Sequence, residues 1–492
     1  MKKKNLGNLL LVIIFSLLVT TSIYYSLTYT ITNFENIFAT IFANNKGTSL
    51  KVVFDIIKSA LPIFLLVFFI SYLLLRKSDK INGKFENIFG TDSKLYKVRM
   101  FLYKNANKIL AILIIIAIVV LGFVFNFYSY LYNNIFDTEI YEDEYVNPAS
   151  VEITFPEKKK NLIHIYLESM ETSVFSKENG GDFDKTITPE LEELAKEGIN
   201  FSASETLGGF MQTPGATWTQ GAMITQESGM HFKTIYTSHK DFDPALPNLV
   251  TMGDILKDNG YNLEILMGSD GDFHDRKVFY EKHGYEVYDY YKAIENEIID
   301  EDYKVFWGFE DEKLFSIAKD EITKLAKKDE PFAFKLLTVD THFIDGYTDD
   351  SCELPYDKAY YNSYHCSSKK VGEFVKWIKT QDFYEDTVIV ITGDHISMQE
   401  AAFDENNRHV YNTFINTDKT DEHSKNRQAT TFDIFPSILS SMDVEIEGNR
   451  LGLGVDLFSG QKTLAETYGY DKFTIELERK SKDYLDLTQI NR

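Results

Sequence analysis

The stretch Thr387-Val-Ile-Val-Ile-Thr-Gly-Asp-His395 predicts a buried β-strand that ends in an adjacent aspartate and histidine. An upstream stretch, Asn161-Leu-Ile-His-Ile-Tyr-Leu-Glu168, has the same form and ends in a carboxylate. Open α/β sheets bind their ligands beyond the carboxyl ends of their strands. The two stretches therefore predict an α/β enzyme with a site at one edge of its sheet.

Strand-like and helix-like segments alternate from residue 161 onward, which is typical of a mostly parallel sheet covered by helices. The predicted strands are 161–167, 262–267, 332–339, 387–392 and 410–415. The predicted helices are 189–197, 248–259, 311–327, 359–379 and 431–442. We therefore expect one large catalytic domain over 161–492, preceded by an acidic connector over 132–160.

Three apolar segments precede this connector, at 9–27, 56–75 and 109–131. Each is close to the roughly 20 residues that cross a bilayer as a helix, so a multi-pass membrane anchor is expected rather than a signal peptide or three core helices. The loop 76–108 carries nine Lys or Arg and three acids, whereas 30–51 carries two Lys and one Glu. The positive-inside rule then places the N-terminus and the loop 76–108 in the cytoplasm, and the catalytic domain outside the cell membrane.

Charge and cysteine content limit the partners and the compartment. The net charge of −23 argues against a nucleic-acid partner, although a local cation and arginines can still bind a phosphate on an acidic protein. Cys352 and Cys366 are the two cysteines. If paired, they close a loop of about 15 residues and add roughly 3 kcal/mol, and an extracytoplasmic location permits that bond. Two free thiols are the alternative.

Glu168, Asp394 and His395 are candidate ligands of a divalent metal. Gly393 allows a sharp turn after the strand, so that the side chains of Asp394 and His395 can converge. Carboxylate oxygens and an imidazole nitrogen suit Mn²⁺, Mg²⁺ or Zn²⁺. The alternatives are a salt-bridged aspartate beside a core histidine and, for Glu168, a partner of a helix N-terminus.

Thr219, within Gly215-Ala-Thr-Trp-Thr-Gln-Gly221, is the candidate nucleophile. A threonine hydroxyl is a weak nucleophile, and metal coordination would lower its pKa. A position at a helix N-terminus would also present backbone N–H groups to a phosphoryl group. Thr213 and Thr217 are rival nucleophiles, and a plain helix cap is the alternative role.

Three more polar residues follow predicted strands. The guanidinium of Arg276 suits a phosphate, and Asp270 in the same loop could orient a substrate hydroxyl. His342 could act as a general acid–base or hold a phosphate. Taken singly, each is equally well explained as a surface or loop residue. The combination of complementary groups at several strand ends indicates a site.

In this order, the segments resemble a known enzyme family. Asn161–Ser169, Trp218-Thr219, Thr338-Val-Asp-Thr-His342 and Thr392-Gly-Asp-His395 resemble the membrane-anchored phosphoglycerol transferases, the lipoteichoic acid synthase group of the alkaline phosphatase–sulfatase superfamily. Trp218-Thr219, the segment 339–346 with its following cysteine, and Leu451-Gly-Leu-Gly454 are most similar to the branch that modifies periplasmic glucans. The resemblance covers most of 161–460.

The resemblance implies a metal centre and a covalent intermediate. Glu168, Thr219, Asp394 and His395 would bind one divalent metal, usually Mn²⁺ in this family. Thr219 would attack the phosphorus of phosphatidylglycerol, release diacylglycerol and become linked to glycerophosphate. A hydroxyl of a sugar or of a glycerophosphate polymer would then accept the group.

The same resemblance implies a substrate-binding set. Arg276 and His342 would hold the phosphate and assist the leaving and attacking oxygens, and Asp270 would contact the glycerol hydroxyls. His274 joins this set because it stands where lipoteichoic acid synthases typically have a tryptophan, two residues before the arginine. The position that touches glycerol in those synthases matches either Ser269 or Asp270, depending on a gap.

Three rival functions remain open at this point. A phosphoethanolamine transferase would share the threonine and metal chemistry, but such enzymes tend to be rich in disulfides. Sulfatase activity would need a Cys or Ser within a Cys/Ser-x-Pro-x-Arg stretch, a context that is missing around Pro214. From another class, the external domain would be a catalytically silent module that binds cell-envelope polymer.

Overall fold

A computed structural model of the chain describes residues 3–28, 34, 50–233, 242–399, 402–403 and 408–488. Its internal contacts divide the chain into two units. The first lies within residues 1–131, and the second contains Tyr132–Arg492.

The first unit is helical, and its long helices are apolar. Its helices are α1 (Lys3–Thr28), α2 (Leu50–Leu75), α3 (Asp79–Phe89) and α4 (Lys94–Val124), and α5 (Phe127–Asn133) follows at the boundary between the units. Three segments are long and apolar enough to cross a membrane, namely Leu6–Thr28, Val53–Leu75 and Lys94–Val124. Many large apolar side chains on these segments are exposed, as a surface facing lipid requires. The first unit therefore has the properties of a membrane anchor.

The third apolar segment ends earlier in the structure than the sequence predicts. Helix α4 stops at Val124, and Asn126 has a left-handed backbone with φ of 53°. This turn separates α4 from α5, so the predicted segment 109–131 is not one continuous helix. A residue with positive φ cannot continue a right-handed helix, which explains the break.

The second unit alternates strands and helices. Its strands are β1 (Ile153–Thr154), β2 (Asn161–Leu167), β3 (Gly209–Phe210), β4 (Asn262–Met267), β5 (Glu286–Tyr288), β6 (Phe332–Leu337), β7 (Thr387–Gly393), β8 (Val410–Ile415), β9 (Glu445–Ile446), β10 (Arg450–Leu451) and β11 (Gly454–Val455). Its helices are α6 (Ile140–Glu144), α7 (Pro189–Glu197), α8 (Thr219–Ser228), α9 (Met252–Asp258), α10 (Arg276–Lys282), α11 (Tyr290–Glu295), α12 (Asp311–Leu325), α13 (Ala359–Ile378), α14 (Ile434–Ser441), α15 (Leu464–Tyr468), α16 (Tyr470–Glu478) and α17 (Lys482–Leu487).

A seven-stranded sheet forms the centre of this unit, in the order β3-β8-β7-β2-β6-β4-β5. The five strands from β7 to β5 are parallel, while β8 is antiparallel to β7 and β3 is antiparallel to β8. The predicted α/β class with a mostly parallel sheet is therefore confirmed. Strand β6 ends two residues before the predicted end at 339, because the N–H of Val339 donates to Asp311 Oδ1 instead of continuing the sheet.

Apolar residues cover both faces of the sheet. Along β2, Leu162 and Tyr166 belong to one buried cluster, and Ile163 and Ile165 belong to the other. Strands buried on both faces read as nearly continuous apolar runs, which explains the sequence pattern of β2 and β7. The register pairs Leu167 with Gly393, so that β2 and β7 end side by side.

Candidate metal centre and phosphate-binding site

The paired ends of β2 and β7 bring three predicted ligands together. Glu168 follows β2, and Asp394 and His395 follow β7; all three are buried, and one ligand atom from each lies within 4.8 Å of the others. His395 Nε2 is 3.4 Å from Asp394 Oδ2 and 3.6 Å from Glu168 Oε1. The register of the sheet thus accounts for the convergence of residues that are far apart in sequence.

The hydrogen bonds of this cluster leave atoms free to bind a cation. His395 Nδ1 donates to the carbonyl of Ile396 at 2.7 Å, which leaves Nε2 facing the two carboxylates. Asp394 Oδ1 accepts the N–H groups of Ser169 and His395, each at 2.7 Å. Asp394 Oδ2 and His395 Nε2 are buried, and neither has a hydrogen-bond partner among the described residues. Buried unpartnered polar atoms of this kind fit a divalent cation.

The charges within the cluster also favour a cation. Burial acts to raise the pKa of Glu168, but the charges of His342 and His395 and two side-chain hydrogen bonds outweigh burial and lower that pKa. Burial, and then the negative charge of Glu168, raises the pKa of Asp394. Two carboxylates this close repel each other, and a bound cation would relieve the repulsion.

Thr219 lies beside this cluster, at the N-terminus of α8. Its hydroxyl donates to Glu168 Oε2 at 3.1 Å. The first hydrogen bond of the helix runs from the N–H of Ala222 to the carbonyl of Trp218 at 2.9 Å, and the Trp218 side chain does not cap the helix. The preceding N–H groups of the first turn therefore lie at an end that suits an anionic phosphoryl group.

Two glycines allow the loop before Thr219 to pack against α8. A Cβ atom on Gly221 would lie 2.0 Å from the carbonyl oxygen of Gly215, so no larger residue fits there without rearrangement. Gly215 itself has φ of 78°, which favours glycine. The glycine spacing around Thr219 thus has a local structural cause.

Helix α8 is held at its other end by buried polar residues. Gln226 Nε2 donates to the carbonyl of Gly393 at 3.0 Å, and Thr392 Oγ1 donates to Gln226 Oε1 at 2.8 Å. Glu227 forms a fully buried ion pair with Lys335 on β6 and accepts a hydrogen bond from Tyr166 on β2 at 3.1 Å. These contacts fix the helix that carries Thr219 to three strands of the sheet.

Arg276 approaches the site from the loop after β4. Its Nη2 donates to Ser269 Oγ at 2.8 Å and to the carbonyl of Asp270 at 3.1 Å. Burial lowers the pKa of Arg276 to about 10, while the charges of Glu168 and Asp270 act in the opposite direction. The guanidinium therefore remains charged at neutral pH and is held in place by its own loop.

The residues around Arg276 have an unusual backbone. His274 and Asp275 both adopt left-handed conformations, with φ of 53° and 61°. The His274 ring stacks on Phe273 at 4.0 Å and meets Trp218 edge-on at 4.7 Å. Burial, then the charges of Arg276 and His342, lowers the pKa of His274 to about 3, so its ring is neutral. This ring therefore connects the loop of Arg276 with the loop of Thr219.

Asp270 is occupied within its own loop. Its Oδ1 accepts the N–H of Asp272 at 2.9 Å, and its Oδ2 accepts the Tyr291 hydroxyl at 3.3 Å. Asp270 is also 4% exposed, so both carboxylate oxygens already have partners in a nearly buried position. A role in contacting glycerol remains a prediction for this residue.

His342 faces the site from the loop after β6. Its Nδ1 donates to the carbonyl of Phe343, which leaves Nε2 as the nitrogen without that proton. Burial lowers the pKa of His342, and the nearby charge of Glu168 opposes this. The ring centre lies 4.5 Å from that of Trp307. Trp307 escaped the sequence analysis because no motif or predicted strand precedes it.

The loop of His342 is joined to Glu168 and to α13. Thr338 Oγ1 accepts the N–H of Glu168 at 3.0 Å, and Thr341 Oγ1 donates to the Glu168 carbonyl at 2.5 Å. Lys370 on α13 contacts Asp340 of the loop at 3.3 Å. Both threonines were part of the motif around His342, but nothing in the sequence indicated these bonds.

The structure joins Cys352 and Cys366 in a disulfide with an S–S distance of 2.02 Å. Cys366 lies on α13, one turn before Lys370. The disulfide therefore connects the segment after His342 to the helix that supports the His342 loop.

Comparison with known proteins adds relatives over part of the chain. Phosphoglycerol transferase I of Salmonella choleraesuis (strain SC-B67) is 28% identical over 332 residues, which is 66% of this chain and 42% of the relative. The same values hold for phosphoglycerol transferase I of Salmonella typhi. The chain thus spans about two fifths of the length of these curated relatives.

Two solved structures align with part of this chain. The lipoteichoic acid synthase LtaP from Listeria monocytogenes gives a TM-score of 0.49 at 20% identity, covering 63% of this chain and 79% of that chain. The C-terminal periplasmic domain of EcEptC from Escherichia coli gives a TM-score of 0.41 at 10% identity, covering 62% and 88%.

A family model decides the classification. The model described as Sulfatase matches residues 160–444, well over half of the 492 residues. This range contains every candidate site residue from Glu168 to His395. The chain therefore belongs to the sulfatase family.

Proposed function

We propose that this chain transfers glycerophosphate from phosphatidylglycerol to a hydroxyl of a glycan or of a glycerophosphate polymer, with Thr219 as the nucleophile. The catalytic domain would be 161–492, outside the cell membrane, with 132–160 as its connector to a multi-pass anchor. The names of the curated relatives support the transferred group, and the sulfatase family supports chemistry at a phosphorus or sulfur centre.

The observation that carries the proposal is the position of the Thr219 hydroxyl. It donates to Glu168 within a buried cluster of two carboxylates and one imidazole, at the N-terminus of a helix. Arg276 and His342 come from two other loops, and each is near enough to Glu168 for a charge interaction that affects a pKa. A nucleophile, an anion-binding helix end and a guanidinium thus surround one point.

Glu168, Thr219, Asp394 and His395 would hold a divalent cation, with Mn²⁺ as the expected ion and Mg²⁺ or Zn²⁺ as alternatives. When bound, the cation lowers the pKa of the Thr219 hydroxyl and offsets negative charge on the phosphate. Glu168 Oε2 is the acceptor of the Thr219 hydroxyl proton in the structure, so the lone pairs of Oγ1 can be directed at phosphorus.

In the first step, a bond forms between Thr219 Oγ1 and phosphorus while the hydroxyl proton passes to Glu168 Oε2, and the bond between phosphorus and the diacylglycerol oxygen breaks; the proton returns to Thr219 in the second step. Arg276 and the N–H groups at the start of α8 hold the phosphate oxygens during this exchange. The negative phosphodiester also favours a proton on His342, which can pass it to the leaving oxygen.

In the second step, the hydroxyl of the acceptor attacks the same phosphorus and the bond to Thr219 breaks. His342 Nε2, now without its proton, accepts the proton of the attacking hydroxyl. Thr219 recovers a proton and again donates to Glu168 Oε2. His274 and Asp270 would line the side of the pocket that receives the glycerol headgroup.

The test is an assay of the purified full-length protein with fluorescent phosphatidylglycerol and Mn²⁺, in the presence and absence of a chelator. Release of diacylglycerol that stops with the chelator is the expected result. Release from phosphatidylethanolamine alone would keep the threonine chemistry and replace the donor. Release from neither lipid would overturn the proposal in favour of a silent binding module.

A further inference from the structure

Ser169 follows Glu168 directly and bonds to two of the candidate ligands at once. Its hydroxyl donates to Glu168 Oε1 at 2.6 Å, and its N–H donates to Asp394 Oδ1 at 2.7 Å. Its side chain is fully buried, with 0% exposure, so it has no route to a lipid or an acceptor. Any role of Ser169 in the reaction must therefore act through its neighbours.

The two bonds leave one oxygen of each carboxylate available. With Oε1 held by Ser169, Glu168 directs Oε2 to the Thr219 hydroxyl, 3.1 Å away. With Oδ1 held by the N–H groups of Ser169 and His395, Asp394 leaves Oδ2 without a partner among the described residues, 3.4 Å from His395 Nε2. Ser169 is the residue that contributes to both orientations.

The backbone of Ser169 is part of this arrangement. Its φ of 54° lies in the left-handed region, which is unfavourable for an L-residue. The Tyr364 hydroxyl donates to the Ser169 carbonyl and helps to hold this conformation. Glycine would adopt the same backbone without that cost and would keep the N–H, so the hydroxyl is what distinguishes serine here.

Resting on the function proposed above, we propose that Ser169 is a positioning residue for the site: it directs Glu168 Oε2 towards Thr219 and Asp394 Oδ2 towards the cation. The hydroxyl and the N–H make separate contributions. Removing the hydroxyl frees the Glu168 carboxylate to rotate, while the Asp394 contact remains. Hydrogen bonds that orient metal ligands typically change metal affinity or activity by about 10- to 100-fold when they are lost.

The chain offers a matched control for this test. Ser173 is also fully buried, and its hydroxyl donates to a carboxylate oxygen of Glu171. Ser169→Ala and Ser173→Ala therefore remove the same kind of hydrogen bond, four residues apart. Ser169→Gly is a second variant that also relieves the left-handed backbone, so a folding defect in one variant does not leave the question open.

The experiment measures the Kd of Mn²⁺ for each full-length variant by calorimetry without lipid, and the rise in Tm that saturating Mn²⁺ produces. We expect a Kd about 10- to 100-fold weaker in Ser169→Ala and Ser169→Gly, with a smaller rise in Tm, and a change under about twofold in Ser173→Ala. A wild-type Kd in Ser169→Gly would overturn the proposal. So would an equal loss of affinity in Ser173→Ala.

Lipid turnover separates this inference from the proposed function. We expect the Ser169 variants to lose kcat at saturating Mn²⁺ with KM for the lipid nearly unchanged, because Ser169 is out of reach of substrate. If Ser169 served only the stability of the fold, a variant with the wild-type Tm would keep the wild-type kcat. A loss of kcat in such a variant therefore indicates a positioning role. If the wild-type protein binds Mn²⁺ but releases diacylglycerol from no lipid, the proposed function fails, and the Mn²⁺ affinities alone decide the role of Ser169.

Discussion

Two sets of residues form the candidate site. The ligand side (Glu168, Asp394 and His395) directly follows two paired strands. On the phosphate side, His274 and His342 lie on loops beyond the sheet, and Arg276 begins helix α10 after one of these loops. The ligand side is aligned by the pairing of Leu167 with Gly393, deep in the fold. The phosphate side is held mainly by bonds within its own loops. Strand register is shared by the whole sheet, while loops are free to vary, so the proposed metal ligands and the proposed phosphate-binding residues have separate supports in this fold.

The sharpest test of the ligand side is Thr219→Ala. We expect diacylglycerol release to fall by at least about 10³-fold, because the Thr219 hydroxyl is the proposed nucleophile and donates to Glu168 Oε2. The Tm should stay within a few degrees, since the residue is only partly buried. The measurement is lipid turnover beside a thermal melt of the same preparation.

Thr217→Ala is the control for this variant, and it should keep most of the activity. Wild-type turnover in Thr219→Ala, with loss in Thr217→Ala, would move the nucleophile to Thr217.

The phosphate side is tested by Arg276→Lys. Lysine keeps the charge but loses the planar fork and the bonds of Nη2 to Ser269 and Asp270, so we expect kcat/KM to fall by about 10²-fold. Lys282→Ala changes an exposed cation on the same helix and should have no effect on kcat/KM. Equal effects in the two variants would mean that the hydrogen-bonding geometry of the Arg276 guanidinium makes no specific contribution.

Removing the disulfide tests whether the His342 loop, on the phosphate side, depends on the bond between Cys352 and Cys366. Replacing both Cys352 and Cys366 by serine should lower the free energy of unfolding by roughly 3 kcal/mol, because the unfolded chain gains freedom. Activity should fall by less than about tenfold, since Lys370 still contacts Asp340 in the loop of His342. Thermal melts of the oxidised wild type, the reduced wild type and the double variant measure the effect. Unchanged stability would contradict the expectation.

Glu264 should have no effect on activity, and it extends the comparison to a buried carboxylate that forms no ion pair among the described residues. Burial, then the charges of Glu321 and Glu286, raises the pKa of Glu264 to about 8, from an ordinary value of 4.5. Between these two pH values unfolding releases a proton, so this group lowers stability as the pH rises. Glu264→Gln should therefore stabilise the protein by about 4 kcal/mol at pH 8 and by almost nothing at pH 4.

Melting curves across this pH range measure that difference. Glu281→Gln, which changes an exposed carboxylate, should shift the Tm equally little at both pH values. A pH-independent gain in Glu264→Gln would show that the carboxyl group has an ordinary pKa in the folded protein.

The local sequence pattern was enough to predict the main strands and the edge of the sheet at which the candidate site lies. The apolar runs of β2 and β7 identify strands, and polar residues at their ends identify the edge where ligands meet. The sequence also separates the membrane anchor from the sheet, because their apolar runs differ in length. The ends of some elements differ: the third apolar segment stops where Asn126 turns the chain, and β6 stops at Leu337.

Contacts between distant residues were beyond the reach of these patterns. Ser169 stands next to a predicted ligand, yet its two bonds depend on the register between β2 and β7 and on a left-handed φ. The bonds of Gln226 and Glu227 depend on how α8 crosses the sheet, and a helix of small residues does not reveal that crossing. Trp307 meets His342 only through tertiary packing.

The ion pair between Glu227 and Lys335 has a consequence for how related sequences can diverge. Both side chains are almost completely buried, so replacing either one alone leaves an uncompensated charge and costs about 3–5 kcal/mol. That is a large share of the stability of a typical domain. Replacing both with apolar residues of similar size is often neutral. Helix α8 and strand β6 are therefore constrained to change together at these two positions, and intermediates that carry one change alone would be removed by selection.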